Sequence, residues 1–252
     1  MQDIILKNLS ESQRAAVTET EGYVRVVAGA GSGKTKTLTA RYMYLAELLG
    51  VSTASILCVT FTNRAAGEMK KRIRRVLPDR DLGRITTFHG FFVSLLKEDI
   101  SRVGYPTTFV VLDDNDKGDM LKNIFEDMGI TSQDMTVQEA IDHIGWRKGG
   151  RGYVKTMIDM DLERLRRLEN TASTLKDRVL YRFFYEQRKC YGLDFDDLMY
   201  FTLHILKLFP DVREKWQKRM EYVMVDEFQD IDKDQYELAE IPSGHHRNLF
   251  IV

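Results

Sequence analysis

Residues 28–35 read Ala-Gly-Ala-Gly-Ser-Gly-Lys-Thr, with an apolar run just before them and a helical pattern just after. No other feature restricts the fold of this chain so strongly. Alternate glycines let the backbone take conformations closed to other residues, so successive N–H groups can turn toward one point. A helix that starts there adds partial positive charge at the same point. Strand, glycine-rich loop and helix in that order form the context of a phosphate-binding loop. In this reading Ala28, Gly29, Ala30, Gly31, Ser32 and Gly33 wrap phosphate oxygens. Lys34 reaches the β- and γ-phosphates, and Thr35 ligates Mg²⁺. The competing reading is a glycine-rich turn that binds nothing.

The loop needs a sheet behind it. Short Val- and Ile-rich runs at Tyr23–Ala28, Ile56–Thr60, Ile85–Thr87 and Tyr222–Asp226 read as buried strands, and a fifth at Leu249–Val252 reaches the last residue. Helical patterns at 34–49, 64–76 and 90–103 separate them, which predicts a parallel sheet with crossover helices. Between about 105 and 191 the patterns are mostly helical. Asp113 or Asp114 is a candidate cap for one helix, and Leu175, Val179, Leu180, Phe183 and Phe184 form the stripe of another. The expected fold class is α/β, a parallel sheet with helices on both faces. A motor-like domain covers 1–104 and 192–252, and a helical insertion covers 105–191. Inside that insertion, Arg147–Gly152 reads as a flexible basic loop, more simply taken as a solvated turn.

Net charge is −1, so any nucleic-acid contact must come from a local patch and not from overall basicity. Cys58 and Cys190 lack metal-type spacing and read as reduced core residues, pointing to a cytoplasmic protein. No apolar run approaches the length that spans a bilayer, so no membrane partner is expected.

Other segments complete the chemistry. Val225-Asp226-Glu227-Phe228-Gln229-Asp230 brings two carboxylates to the tip of a strand. Asp226 is placed to hold Mg²⁺, and Glu227 to orient and deprotonate a water. Gln13, in Leu9–Val17, can pair with an adenine edge through its amide, while Ser10 and Gln13 can also form a capping box. Thr60-Phe61-Thr62-Asn63 and Thr86-Thr87-Phe88-His89 each follow a strand. Ligands of open parallel sheets gather at those ends. Phe61, Thr62, Asn63, Thr87 and His89 suit stacking and phosphate contact with a single strand, whereas packing alone would also explain Phe61 and Phe88. Leu193-Asp194-Phe195-Asp196-Asp197-Leu198 reads as an acidic helix N-terminus suited to the helix dipole.

In order and spacing, Leu9–Val17, Ala28–Arg41, Val59–Met69, Thr86–Gly90, Leu193–Leu198 and Val225–Asp230 together resemble the superfamily 1 helicases of the UvrD/Rep/PcrA kind. The resemblance runs from end to end. It implies a RecA-like first motor domain of the P-loop NTPase class, interrupted by a helical insertion domain. It implies ATP and Mg²⁺ as cofactors and 3′-to-5′ translocation on single-stranded DNA. Junctions of single- and double-stranded DNA are the implied partners, in processes that include DNA repair. By motif position, Gln13 would read adenine, Lys34 and Thr35 would serve phosphate and Mg²⁺, Asp226 would serve Mg²⁺, and Glu227 would be the catalytic base. Lys36 and Arg41 match positions near the nucleotide.

The family pattern continues with a coupling motif and a second motor domain that supplies arginines to the γ-phosphate. Such an arginine is worth roughly 10³–10⁵ in rate. The expectation is therefore a polypeptide that binds nucleotide, hydrolyses it poorly and unwinds nothing alone, with its last strand frayed at the sheet edge. Three rival readings share parts of the pattern. They are a subunit of a helicase-nuclease, a non-catalytic nucleotide- or DNA-binding module, and a phosphate-loop kinase or transporter ATPase. The rim segments at 60–63 and 86–89 speak against the last.

Overall fold

A computed structural model describes residues 2–29, 31–149 and 152–252. In chain order it forms α1 (Gln2–Leu6), α2 (Glu11–Thr18), β1 (Tyr23–Arg25), α3 (Lys34–Met43), β2 (Ile56–Thr60), α4 (Asn63–Val76), β3 (Arg84–Thr87) and α5 (Phe88–Asp99). There follow β4 (Val110–Leu112), α6 (Asp114–Met128), α7 (Val137–Lys148), α8 (Tyr153–Asp159), α9 (Leu162–Thr171), α10 (Leu175–Lys189), β5 (Gly192–Asp194) and α11 (Phe195–Leu208). The chain closes with α12 (Pro210–Arg219), β6 (Tyr222–Val225), α13 (Lys233–Ser243) and β7 (Leu249–Ile251). It divides into two compact units, Met1–Phe92 with Leu206–Val252, and Val93–Ile205. The divisions fall within α5 and α11, so the second unit is wider at both ends than 105–191.

The first unit is built on a five-stranded sheet in the order β1-β7-β6-β2-β3, with every pairing parallel. Its central strands are continuous apolar runs because helices cover both faces. β2 and β6 are buried along their whole length. Leu38, Tyr42, Ile56, Cys58, Met69, Ile73, Ile85 and Phe250 meet in the core on one side. Helix α4 shows the local logic. Thr62 caps it by accepting from Ala65 N at 3.1 Å, and Ala66, Met69 and Ile73 form the buried stripe that holds it to the sheet.

Two strand expectations are corrected. β1 is an outer strand with Tyr23 exposed, not a buried one. β7 is not frayed. It lies between β1 and β6, with Leu249 and Phe250 buried and Val252 N donating to Val225 O. Strand order in a parallel sheet follows crossover connections, so the last strand in sequence can sit inside it.

The second unit is mostly helical, but it also holds a two-stranded parallel sheet of β4 and β5 that the sequence pattern concealed. β1 and β7 are as short, but apolar neighbours lengthen their runs, whereas β5, Gly-Leu-Asp, offers a single apolar residue. Asp113 caps α6 with a capping box, as its position suggested. Two further expectations fail here. Cys190 is exposed at the end of α10 and does not belong to the core. Of the basic stretch 147–152, Arg147, Gly149 and Gly152 are exposed and residues 150–151 lie outside the described residues, but Lys148 is not on a solvated turn: it is fully buried, and so are Asp194 and Asp197 of the acidic segment. The Lys148 ammonium donates to Asp194 Oδ2 at 2.7 Å and to Asp197 Oδ2 at 2.8 Å. Tyr153 Oη donates to Asp197 Oδ1 at 2.6 Å, and Gln187 Nε2 donates to Asp197 as well. Buried charges need such partners, so two features that read separately as surface charge are one interior network. Among the described residues, no helix is long and apolar enough to cross a membrane.

Candidate active site

All five strands of the main sheet run parallel, so the segments that follow β1, β2, β3 and β6 gather at one edge. That places the glycine-rich loop, Phe61–Asn63, Phe88–His89 and Asp226–Glu227 on a common rim.

The loop leaves β1 and enters α3 through Gly33, whose φ of 91° is one that side chains rarely adopt, and a Cβ there would fall 2.8 Å from Gln13 Nε2 and push that amide aside. Gly31 also has positive φ, and Ser32 N donates to Gly29 O at 3.3 Å. Ala28 lies half-buried at the foot of the loop, and Ala30 falls outside the described residues. Gln13 is brought to the loop. Its Nε2 donates to Ser32 O at 2.8 Å while its Oε1 accepts from Ser10 N at 3.1 Å, so capping box and loop contact coexist. Each amide atom retains one further site for a base edge.

Lys34, the first residue of α3, donates from Nζ to Glu227 Oε2 at 2.6 Å. The hydrogen bond to Glu227 raises the Lys34 ammonium above its ordinary value, and the same bond holds the Glu227 carboxyl below its own. Gln229 Nε2 adds a second donor to Glu227 at 2.7 Å. Asp226 is 2% exposed at the tip of β6, and its Oδ1 accepts only the backbone N–H of Glu227, at 3.1 Å, among the described residues. Burial pushes its carboxyl up, with the charge of Glu227 adding to the effect. A buried carboxylate so poorly supplied with donors calls for a cation. Thr35, the residue after Lys34 in α3, is half-buried, and no side-chain hydrogen bond occupies its hydroxyl among the described residues. Residues of this kind fit Mg²⁺, which binds through one or two protein oxygens plus phosphate oxygens and seldom in an all-protein cage. No cluster of three or more His, Cys, Asp or Glu that could hold a metal ion is present among the described residues.

A depression of about 620 Å³ opens over Gly31, Gly33, Lys34, Thr35, Lys36 and Glu227. Arg72 of α4 and Gln229 also line it, and neither was singled out from the sequence. The missed signal was the helical spacing of α4, which puts position 72 on the flank of that helix and away from its outer ridge. A second depression of about 260 Å³ runs along Val27, Ala28, Lys34, Phe228 and Val252.

Two residues of the expected set are engaged elsewhere. The Lys36 ammonium donates to the carbonyl of Asn8. Arg41 is 1% exposed, and its guanidinium holds the carbonyls of Ala16, Glu19 and Thr20 while lying 4.5 Å from the centre of the Phe250 ring. Burial lowers it to about 10. Arg41 thus fastens the end of α2 to α3, and the structure does not bring it to the phosphate loop.

On the rim, Phe61 is 52% exposed and Asn63 is exposed at the start of α4. Thr62 spends its hydroxyl on the α4 cap, and Thr87 is buried with Oγ1 accepting from Gly90 N at 3.2 Å. His89 is half-buried and meets Phe92 edge-on at 5.9 Å. Phe88 is in the core, as packing alone would have it.

The model of the UvrD/REP helicase N-terminal domain family matches residues 9–252. Similar proteins include the ATP-dependent DNA helicase PcrA of Staphylococcus aureus (strain Mu50 / ATCC 700699), 33% identical over 249 residues, covering 98% of this chain and 33% of that protein. The ATP-dependent DNA helicase PcrA of Staphylococcus epidermidis (strain ATCC 12228 / FDA PCI 1200) is 33% identical over 250 residues, again covering 98% of this chain and 33% of the relative. The chain therefore spans about a third of the length of the curated relatives it matches.

Proposed function

The chain belongs to the UvrD/REP helicase N-terminal domain family, and from that membership we propose that it is the ATP- and single-stranded-DNA-binding part of a 3′-to-5′ DNA translocase. The observation that carries the reading is the Lys34–Glu227 ion pair at 2.6 Å, at the junction of the phosphate loop and the acidic strand tip. It joins the two halves of an ATPase site.

The same contact sets the order of events. While Lys34 holds Glu227, the carboxylate is a poor proton acceptor, because its charge is already satisfied. Incoming phosphate competes for the Lys34 ammonium. Once Lys34 turns to the phosphates, Glu227 keeps only Gln229 as side-chain donor among the described residues and is released to orient and deprotonate water. Loop N–H groups and the start of α3 bind phosphate oxygens, and Gln13 offers its amide to adenine. Thr35 and Asp226 would hold Mg²⁺, which neutralises charge on the phosphate oxygens when bound. Phe61, with Asn63 and His89 on the same rim, supplies a stacking surface for an unpaired strand, whereas Thr87 is buried beneath it and offers DNA no contact; a junction of single- and double-stranded DNA is the natural substrate.

Lys34, Lys36 and Arg72 are the cationic residues that line the phosphate depression among the described residues, the Lys36 ammonium being held by the Asn8 carbonyl. A second motor domain of the family kind would add its arginines, so this polypeptide alone is expected to bind nucleotide and turn it over slowly. The test is ATP binding and turnover with and without single-stranded DNA, beside Lys34→Ala. Binding that depends on Lys34, with slow turnover, supports the reading. Nucleotide affinity unchanged in Lys34→Ala would sink it.

A further inference from the structure

We infer that the outer ridge of α4 is a contact surface for the phosphate backbone of duplex DNA, adjoining the single-strand rim. The inference rests on the DNA-binding reading above and goes beyond it in naming a second surface and its ligand.

Helix α4 carries six cations against one carboxylate, in a chain whose net charge is −1. Its buried stripe is Ala66, Met69 and Ile73. At 100° per residue, the opposite side is occupied by Arg64, Glu68, Lys71 and Arg75 on successive turns, with Arg74 beside them. All five are exposed. Glu68 pairs with Arg64 at 3.3 Å, so the first cation is partly neutralised. Lys71, Arg74 and Arg75 have no ion pair among the described residues. Such a concentration of like charge at the end of one helix raises its own energy and is relieved by a polyanion.

The composition of the ridge selects the ligand. Single-strand sites interleave cations with aromatic rings for base stacking. No aromatic residue lies in α4, and the exposed ring at its entrance is Phe61. Protein interfaces have an apolar centre, yet the exposed residues of α4 are Asn63, Arg64, Glu68, Lys71, Arg72, Arg74 and Arg75. What remains is a ligand that offers phosphates and hides its bases, which is a duplex. From Arg64 to Arg75 the ridge is about 16 Å long at 1.5 Å per residue. That matches about five phosphates of one duplex strand at 3.4 Å each along the axis. Thr62 and Asn63 belong both to the rim and to the start of α4, so a junction would lay its unpaired tail on the rim and its duplex along the ridge.

The test compares three probes, a tailed duplex, the same duplex without a tail and the tail alone, by fluorescence anisotropy at several salt concentrations. The proteins are the 252-residue chain, Phe61→Ala, and the triple variant Lys71→Gln/Arg74→Gln/Arg75→Gln, with circular dichroism confirming their fold. In the triple variant, affinity for tailed duplex is expected to fall about tenfold or more. The slope of log affinity against log salt should shrink by about 2 to 3, as for three lost phosphate contacts. Affinity for the tail alone should stay within about twofold. Phe61→Ala should show the reverse preference, losing the tail more than the duplex. Unchanged tailed-duplex affinity and slope in the triple variant, with Phe61→Ala still weakening the tail, would overturn the ridge and leave the DNA reading standing. An equal loss on polyglutamate would assign the ridge to an acidic protein and overturn it too. Failure of the unsubstituted chain to bind any of the DNA probes would remove both readings.

Discussion

Glu227 stands in the left-handed region at φ 53°, a conformation that costs a residue with a side chain roughly 1–2 kcal/mol. The strain is held by neighbours: Phe228 N donates to Val252 O at 2.9 Å, and Glu227 N to Asp226 Oδ1 at 3.1 Å. The turn aims the carboxylate at Lys34 instead of along the strand. Its titration follows. With the folded-state value depressed, the pair's stabilisation is fully present above the ordinary glutamate value of 4.5 and fades as pH falls below it. Carboxyl-carbon NMR of the nucleotide-free chain should therefore show Glu227 titrating below 4.5, and the signal should move upward in Lys34→Ala. Identical titration in both proteins would mean that Lys34 does not hold the base. Lys34, Asp226 and Glu227 were legible in sequence because each lies in a local pattern of strand, loop and charge. Their pairing was not, because 193 positions separate its members. Arg41 shows the opposite error, since a position beside a motif says nothing of which way a long side chain turns.

Elements were legible to the degree that their patterns were long. The helices at 34–49 and 64–76 repeat apolar residues at the helical period and the central strands are unbroken apolar runs, and they fold where those patterns say. Helix 34–49 has one departure, a π-helical turn at Tyr44–Leu48 that no periodicity announces. β4 and β5 were concealed by their brevity, and the acidic segment by its chemistry. Asp194 and Asp197 do begin a helix, with reciprocal hydrogen bonds of 3.0 Å, but they do so in the interior. A carboxylate at a helix start looks the same in sequence whether water or Lys148 satisfies it. The network joins α7, α8, α10 and α11 through the Asp197 carboxylate, with the Lys148 ammonium as its buried cation. Lys148→Met would leave Asp197 without its cation and Asp194 with only the more distant Lys117 ammonium, at 3.8 Å, among the described residues, and should destabilise the second unit by about 3 to 5 kcal/mol. Urea unfolding followed by circular dichroism measures this. A loss below about 1 kcal/mol would show that the carboxylates reach water or share a proton.

At the scale of the whole molecule, net charge concealed what position reveals. A balance of −1 is compatible with a helix of dense positive charge and with an acidic interior, because the sum keeps no record of place. Place also separates the roles of the two units. The groups proposed to bind nucleotide, Gln13, Gly31 to Thr35, Arg72, Asp226 and Glu227, all lie in the first unit, whereas the buried Lys148 network lies wholly in the second. Ligand binding stabilises the parts whose opening would release the ligand, by about 2.7 kcal/mol at a hundredfold excess over Kd. Parts that open independently gain nothing. Hydrogen exchange read by mass spectrometry should therefore slow on adding ATP and Mg²⁺ in peptides covering the loop, α3 and the β6 tip. Peptides from α6, α9 and α10 should exchange as before. Chelating Mg²⁺ should reverse most of the protection around Thr35 and Asp226 while leaving part of that at Lys34, because the ammonium binds phosphate on its own. If α6 and α10 slow as strongly as the loop, the two units open as one, and the division of labour drawn from the residues would be wrong.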